Sequence, residues 1–252
     1  MLKTGSNSIQ LWLVHESKIT DQSLLDQYHG LLSERELKRY ERLRLASDKK
    51  QFLITQVLAR SVLAELTGIN NPGAIRFERN SHGKPYLPGQ DQPQFNLTNS
   101  NGLIALAVAV KAEIGIDVEY LHRKAACLQL ARRYFTKGEA ETFEGLDESA
   151  LRDRFFDYWT LKEAWLKAFG TGLRTPLNYF GFTLSDKVEI CFTSKIQSLP
   201  QEWAFWQFDL LGDYRLSVCL NDAPDREYQI TAQEGVPLKG FRSVSLQQRR
   251  PY

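Results

Sequence analysis

Two short stretches carry residues that could do chemistry. Trp159-Thr-Leu-Lys162-Glu163-Ala-Trp-Leu-Lys167 has no Gly or Pro and spaces its apolar residues as a helix does. Glu163 and Lys167 are four apart, so they share one helical face. Gly115-Ile-Asp117-Val-Glu119 reads as the end of a strand, where residues two apart point the same way. If the two stretches meet, three carboxylates and a lysine converge. That is the oxygen-rich, incomplete cage that Mg²⁺ takes, completed by water and phosphate oxygens. Each piece alone also suits a plainer role. An Asp-x-Glu pair can be a solvated strand edge. A Glu and Lys at i, i+4 can be a surface ion pair worth about 0.3 kcal/mol.

The elements that must position these residues follow from patterning. Ser8 to Val14 alternates and reads as a strand. Ser33 with Glu36 three residues on is a capping box that starts a helix. A long amphipathic helix spans about 48–66 and stops at Thr67-Gly68. Ile75 to Glu78 reads as a short strand, and 80–93 as a loop rich in Gly and Pro. Phe95–Thr98, Leu103–Val110 and Ile114–Glu119 read as strands, the last two joined by the hairpin-length Lys111-Ala-Glu113. Gln201–Leu210 and Tyr214–Leu220 read as closing strands. Residues 226–252 are polar and are expected to form a loosely held tail.

The pattern repeats. Thr136 and Glu139 form a second capping box, each 103 residues beyond Ser33 and Glu36, and Phe52 maps to Phe155 at the same displacement. This suggests a duplicated unit of helices and a small sheet, with the carboxylate cluster where the halves meet. Identity between the halves is low, and chance agreement is the alternative.

Composition narrows the class. The chain has 252 residues, a formal net charge of +2, 42% hydrophobic and 25% charged residues. That is an ordinary globular composition with no general case for nucleic-acid binding. The three cysteines, Cys127, Cys191 and Cys219, form no C-x-x-C, so neither a disulfide framework nor a zinc ribbon is expected, and a reducing cytoplasm is the simplest setting. No signal peptide and no membrane span are expected, since the clearest apolar run, 103–110, is too short. The four histidines lack metal-ligand spacing.

Gly115-Ile-Asp117-Val-Glu119, followed about 40 residues later by Phe156-Asp-Tyr-Trp159-Thr-Leu-Lys162-Glu163-Ala-Trp-Leu-Lys167-Ala-Phe-Gly170, resembles the two signature motifs of the 4′-phosphopantetheinyl transferases. Upstream, Gly83-Lys84-Pro85 resembles the family's Gly-Lys-Pro loop, and Phe95-Asn96-Leu97-Thr98-Asn99-Ser100 its Phe-Asn-(hydrophobic)-Ser-His-Ser segment. The length favours the surfactin-type branch. The resemblance implies an α+β pseudo-dimer of two similar halves, each a small, mostly antiparallel sheet packed with helices. The expected boundaries are 1–111, 112–225 and a tail at 226–252.

The resemblance also implies a reaction. Phosphopantetheine passes from coenzyme A to a serine of an apo acyl or peptidyl carrier protein, and 3′,5′-ADP leaves. Asp117, Glu119 and Glu163 would hold Mg²⁺, with Mn²⁺ as an alternative ion. Glu163 would also take the serine proton, and Lys167 would meet the departing phosphate. Lys84, Pro85, Thr98, Asn99 and Arg39 would contact coenzyme A. Arg44, Lys49 and Lys50 lie in the same basic region, where a solvated helix face is an equal account. Lys162, on another face, is assigned to substrate contact, with a plain surface position as the alternative. A monomer is expected, with an acidic helical carrier domain as transient partner and Arg132 and Arg133 as candidates to receive it.

Asn99 stands where the family has histidine, and Gln51 where some relatives have arginine. Both departures lie away from the metal residues. Two other functions remain open on sequence: another Mg²⁺-dependent phosphoryl enzyme, and a coenzyme A-binding module without turnover.

Overall fold

The computed structural model describes residues 7–249, the Leu173 side chain excepted. They divide into two units, residues 7–111 with Tyr228–Ser245 and Ala112–Glu227 with residues 246–249.

The first unit runs β1 (Ser8–His15), α1 (Gln22–Gly30), α2 (Glu34–Arg42), α3 (Ala46–Thr67), the two-residue strands β2 (Glu78–Arg79) and β3 (Pro85–Tyr86), then β4 (Gln94–Ser100) and β5 (Leu103–Ala109). The second runs β6 (Ile114–Tyr120), α4 (Cys127–Tyr134), α5 (Lys137–Glu141), α6 (Glu148–Phe169), the hairpin β7 (Phe180–Leu184) and β8 (Val188–Phe192), then β9 (Ala204–Leu210) and β10 (Tyr214–Leu220). Element for element the order is the same. The sheets agree too: β1-β5-β4 in one unit answers to β6-β10-β9 in the other. The duplication suggested by the capping boxes is therefore present in the topology, and the protein is α+β with two similar halves.

Local chemistry explains the shared helices. Both capping boxes form, Ser33 with Glu36 and Thr136 with Glu139. Each satisfies orphan amide donors at a helix start and stabilises it by about 1 kcal/mol. The long helices α3 and α6 each have 22 residues and each ends on a left-handed glycine, Gly68 at φ 73° and Gly170 at φ 80°. One face of α3 buries Leu53, Ile54, Val57, Leu58 and Val62 against Trp12, Val14, Ile104 and Leu106. In the second unit Trp165, Phe180, Phe192 and Trp203 form an aromatic cluster around α6.

Three expectations need correction. Residues 111–113 do not join a hairpin: β5 pairs with β1 and β4, whereas β6 pairs with β10 in the other sheet. The hairpin is β4–β5, turned at Asn101 and Gly102, both at positive φ, as a tight two-residue turn demands. Of the strand expected at 75–78 only Glu78 is in a strand, as the first residue of β2; residues 75–77 are irregular chain after the 3₁₀ turn Pro72–Ala74.

The third correction concerns 226–252. Within the described residues it is ordered sheet, comprising β11 (Gln229–Val236), β12 (Gly240–Val244) and β13 (Gln247–Gln248). β11 pairs parallel with β1, β12 pairs with β11, and β13 pairs with β9. The Tyr28 hydroxyl donates to the Pro237 carbonyl at 2.7 Å, and Lys18 pairs with Glu234. These strands bury few side chains, so their sequence reads as polar. Gly235 also matters here, since a Cβ on it would lie 2.1 Å from the Gly240 carbonyl oxygen.

Candidate functional site

β6 and α6 bring the two signature stretches together. Gly115, Asp117 and Glu119 share one face of β6, and that face meets α6. A Cβ on Gly115 would sit 2.0 Å from the Ala164 carbonyl oxygen and 2.5 Å from the Ala168 nitrogen. Only glycine lets the helix backbone lie this close to the strand.

The contact has direct chemical consequences. Lys167 Nζ donates to Asp117 Oδ1 at 2.7 Å and to the Ile116 carbonyl at 3.0 Å. Glu119 pairs with Arg123 at 3.0 Å, and Arg123 lies over the rings of Phe156 and Trp159. Arg123 was not foreseen, although its position four residues after Glu119 is a usable signal. Burial, then the charges of Asp117 and Glu119, push the Glu163 carboxyl up from 4.5 to about 7, with Lys167 opposing. Glu163 therefore feels both β6 carboxylates.

Among the described residues no three His, Cys, Asp or Glu side chains stand close enough to hold a metal ion as placed. Asp117 faces Lys167 and Glu119 faces Arg123 instead. The donor set nevertheless suits a hard divalent cation. It is all oxygen, it comes from two adjacent elements, and burial together with the charges of its other members lifts Glu163.

The first unit holds a cavity of about 670 Å³ between α2, α3 and the segment 76–97. Arg39 and Pro85 line it, with Arg35, Arg76 and Arg79 adding positive charge and Phe52, Phe77 and Phe95 adding aromatic surface. Arg39 lies 5.2 Å from the Phe52 ring centroid. Burial, with Arg39 and Arg35 nearby, lowers the pKa of Arg79. This crowding of guanidinium groups is what an anion would relieve. Arg35, Arg76 and Arg79 escaped sequence reasoning because they are scattered through a charge-rich stretch.

Lys84 lies in the turn after Gly83, its amide held by Asn80 Oδ1 at 2.9 Å. On β4, Phe95 and Leu97 line the cavity, and Asn99 shares their face by the two-residue period. Thr98 is buried at 5% exposure and points to the opposite face with Asn96. Thr98 and Asn99 therefore stand on opposite faces of β4.

Lys162 is a second correction. It is neither on the surface nor open to a substrate, being fully buried. Its Nζ pairs with Glu139 Oε2 at 2.9 Å and donates to the carbonyls of Leu177 and Phe180 at 2.8 and 2.6 Å. The first unit has the same device. Arg60, 1% exposed, donates to Glu36 Oε2 at 2.6 Å and to the Ile75 carbonyl at 2.7 Å. In both halves a buried cation on the long helix clamps the capping-box glutamate to the chain that follows the helix. Lys162 is thus a structural pair to Arg60, though it neighbours Glu163 in sequence.

Fold and sites together define a two-halved α+β protein with an acidic, lysine-bearing centre in one half and a basic, aromatic-lined cavity in the other. A model of the 4′-phosphopantetheinyl transferase superfamily matches residues 113–219, and one of the 4′-phosphopantetheinyl transferase N-terminal region matches 20–111. The 4′-phosphopantetheinyl transferase HetI of Nostoc sp. is 32% identical over 202 residues, 77% of this chain and 80% of that protein. Sfp of Bacillus subtilis, another 4′-phosphopantetheinyl transferase, is 25% identical over 211 residues, 84% of this chain and 92% of that protein. A solved holo-(acyl-carrier-protein) synthase of Bacillus anthracis in complex with CoA (3′,5′-ADP) shares 23% identity. It covers 44% of this chain and 96% of its own, at a TM-score of 0.36 too low to carry an argument about this site. The chain belongs to the 4′-phosphopantetheinyl transferase superfamily, in the branch that includes Sfp, and it is an enzyme of that class. Among the described residues no helix is long and apolar enough to cross a membrane.

Proposed function

We propose that the protein transfers 4′-phosphopantetheine from coenzyme A to a serine of an apo acyl or peptidyl carrier protein, releases 3′,5′-ADP and depends on Mg²⁺. The observation that carries this reading is the approach of Glu163 to Asp117 and Glu119 beside Lys167. Lys167 bonds Asp117 across the α6–β6 contact, and burial with the charges of Asp117 and Glu119 raises the Glu163 carboxyl to about 7.

In the reaction the serine oxygen bonds to the phosphorus that bears pantetheine. The bond from that phosphorus to the bridging pyrophosphate oxygen breaks, and 3′,5′-ADP departs. Glu163 takes the serine proton on a carboxylate oxygen. Lys167 Nζ offsets the charge that develops on the leaving phosphate, a role a fixed ammonium plays without reorganisation. Asp117, Glu119 and Glu163 would hold Mg²⁺, which when bound neutralises pyrophosphate oxygens. Mn²⁺ would suit the same oxygen donors.

The basic cavity of the first unit suits the nucleotide of coenzyme A. Its arginines, Arg39 included, match phosphate, and its rings and Pro85 match a flat base. Lys84 and Asn99 border this region. Arg132 and Arg133, exposed at the end of α4, are suited to an acidic carrier domain. We place the enzyme in the cytoplasm as a monomer.

The test is mass spectrometry of an apo carrier protein incubated with the protein, coenzyme A and Mg²⁺, beside a Glu163→Gln control. A gain of about 340 Da, the mass of the transferred arm, that is absent in the control supports the reaction and the role of Glu163. No gain across acyl and peptidyl carriers overturns it.

A further inference from the structure

A second ionic cluster lies in the second unit, apart from the proposed metal residues. Asp153 and Asp157 are one turn apart on α6, Asp209 is on β9, Arg215 on β10, and Arg249 just follows β13. Arg215 is 1% exposed and Asp157 fully buried. Arg215 bonds Asp153 at 2.6 Å and Asp209 at 2.9 Å, and it pairs with Asp157. Arg249 reaches the same three acids: Asp157 at 2.9 Å, Asp209 at 3.5 Å, and Asp153. Its amide donates to the Gln207 carbonyl at 2.8 Å. Three carboxylates thus share two guanidinium groups, and one of those comes from the last described residue of the chain.

The cluster joins the elements that carry the site. Asp153 and Asp157 lie about 15 and 9 Å along the helix axis from Glu163, at about 1.5 Å per residue. Arg215 is opposite Glu119 in the β10–β6 register, and Ser217 is opposite Asp117. Ser217 meets Thr160 of α6 at 2.7 Å, and Gln207 donates to both hydroxyls at 3.0 and 3.2 Å. A polar seam therefore runs from Arg249 along the helix–sheet contact toward the carboxylates.

We propose that Arg249 is a positioning residue. Through this cluster the returning C-terminal strand seats α6 on β10 and so sets the approach of Glu163 to Asp117 and Glu119. Without Arg249 the three acids lose one of the two guanidinium groups they share, and the weaker compensation of buried charge loosens that seat.

The test compares the full chain with Arg249→Gln, Arg249→Lys and the double variant Asp153→Asn/Arg249→Gln. The readouts are melting temperature, hydrogen exchange of α6 amides around 160–167, and kcat and KM for transfer. Arg249→Gln should lower the melting temperature by about 5–10 °C and speed exchange in α6. It should reduce kcat by about tenfold while leaving KM for coenzyme A unchanged. Arg249→Lys should recover part of each loss. Asp153→Asn restores the charge balance and should recover most of the lost stability. An additive fall in the double variant would overturn the cluster's role. A kcat equal to wild type well below the melting temperature would overturn positioning. The kcat arm rests on the transfer reaction proposed above. Melting and exchange do not, so an inactive wild type would sink that reaction while these two arms still decide the fate of Arg249.

Discussion

Replacing Glu163 by Gln should stabilise the metal-free protein at alkaline pH. In the fold the Glu163 carboxyl is lifted from 4.5 to about 7 by burial and by Asp117 and Glu119. At about 1.4 kcal/mol per pH unit, holding it ionised costs the folded state about 3 kcal/mol. The cost begins as pH rises past 4.5, the unfolded-chain value, and is complete above 7. Below 4.5 the group is neutral in both states, and the substitution is neutral in this respect. The wild type binds no stabilising ion under chelation, so the penalty shows fully there. At about 2–4 °C per kcal/mol for a chain of this size, the variant should melt about 6–12 °C above wild type at pH 8 and within about 3 °C of it at pH 5. Differential scanning calorimetry in chelator at the two pH values reads this directly. Saturating Mg²⁺ should then raise the wild-type transition by binding only the folded form and should raise that of the variant less. If wild type and variant melt together at pH 8 in chelator, the three carboxylates do not repel one another, and the convergence argued above is wrong.

Other outcomes follow from the same geometry. Gly115→Ala forces a methyl into the Ala164 carbonyl and must push α6 off β6. Transfer should fall by about 100-fold or more, with circular dichroism showing retained helix. Lys162→Met strands Glu139 in the core and should cost about 3–5 kcal/mol in urea unfolding. The pair Lys162→Met/Glu139→Gln should cost markedly less, which a role for Lys162 in substrate binding would not produce. Asn99→His should lower KM for coenzyme A at pH 6.5, where the added imidazole carries positive charge. An unchanged KM would remove Asn99 from the phosphate.

Much of the architecture was legible because its signals are local. A capping box acts across three residues, so Ser33–Glu36 and Thr136–Glu139 announce two helices whatever surrounds them. Gly68 and Gly170 end the long helices by their own backbone freedom. The repeat of these signals, and the pairing of Asp117-Val-Glu119 with Glu163 and Lys167, pointed to two halves and one acidic centre. The sequence could not tell which strands share a sheet. β5 and β6 are separated by four residues yet belong to different sheets, because strand partners are chosen by burial and register far along the chain. β11 looked like tail because its partner, β1, lies more than 200 residues away, and because a strand held on both sides by backbone hydrogen bonds to β1 and β12 needs few apolar residues of its own. Lys162 and Arg249 make the same point for side chains. Lys162, beside Glu163, read as touching substrate or the surface, and Arg249 read as part of a polar tail. Tertiary packing alone buries one against Glu139 and sets the other among three aspartates, since a buried charge is tolerable only where the fold brings its partner to it.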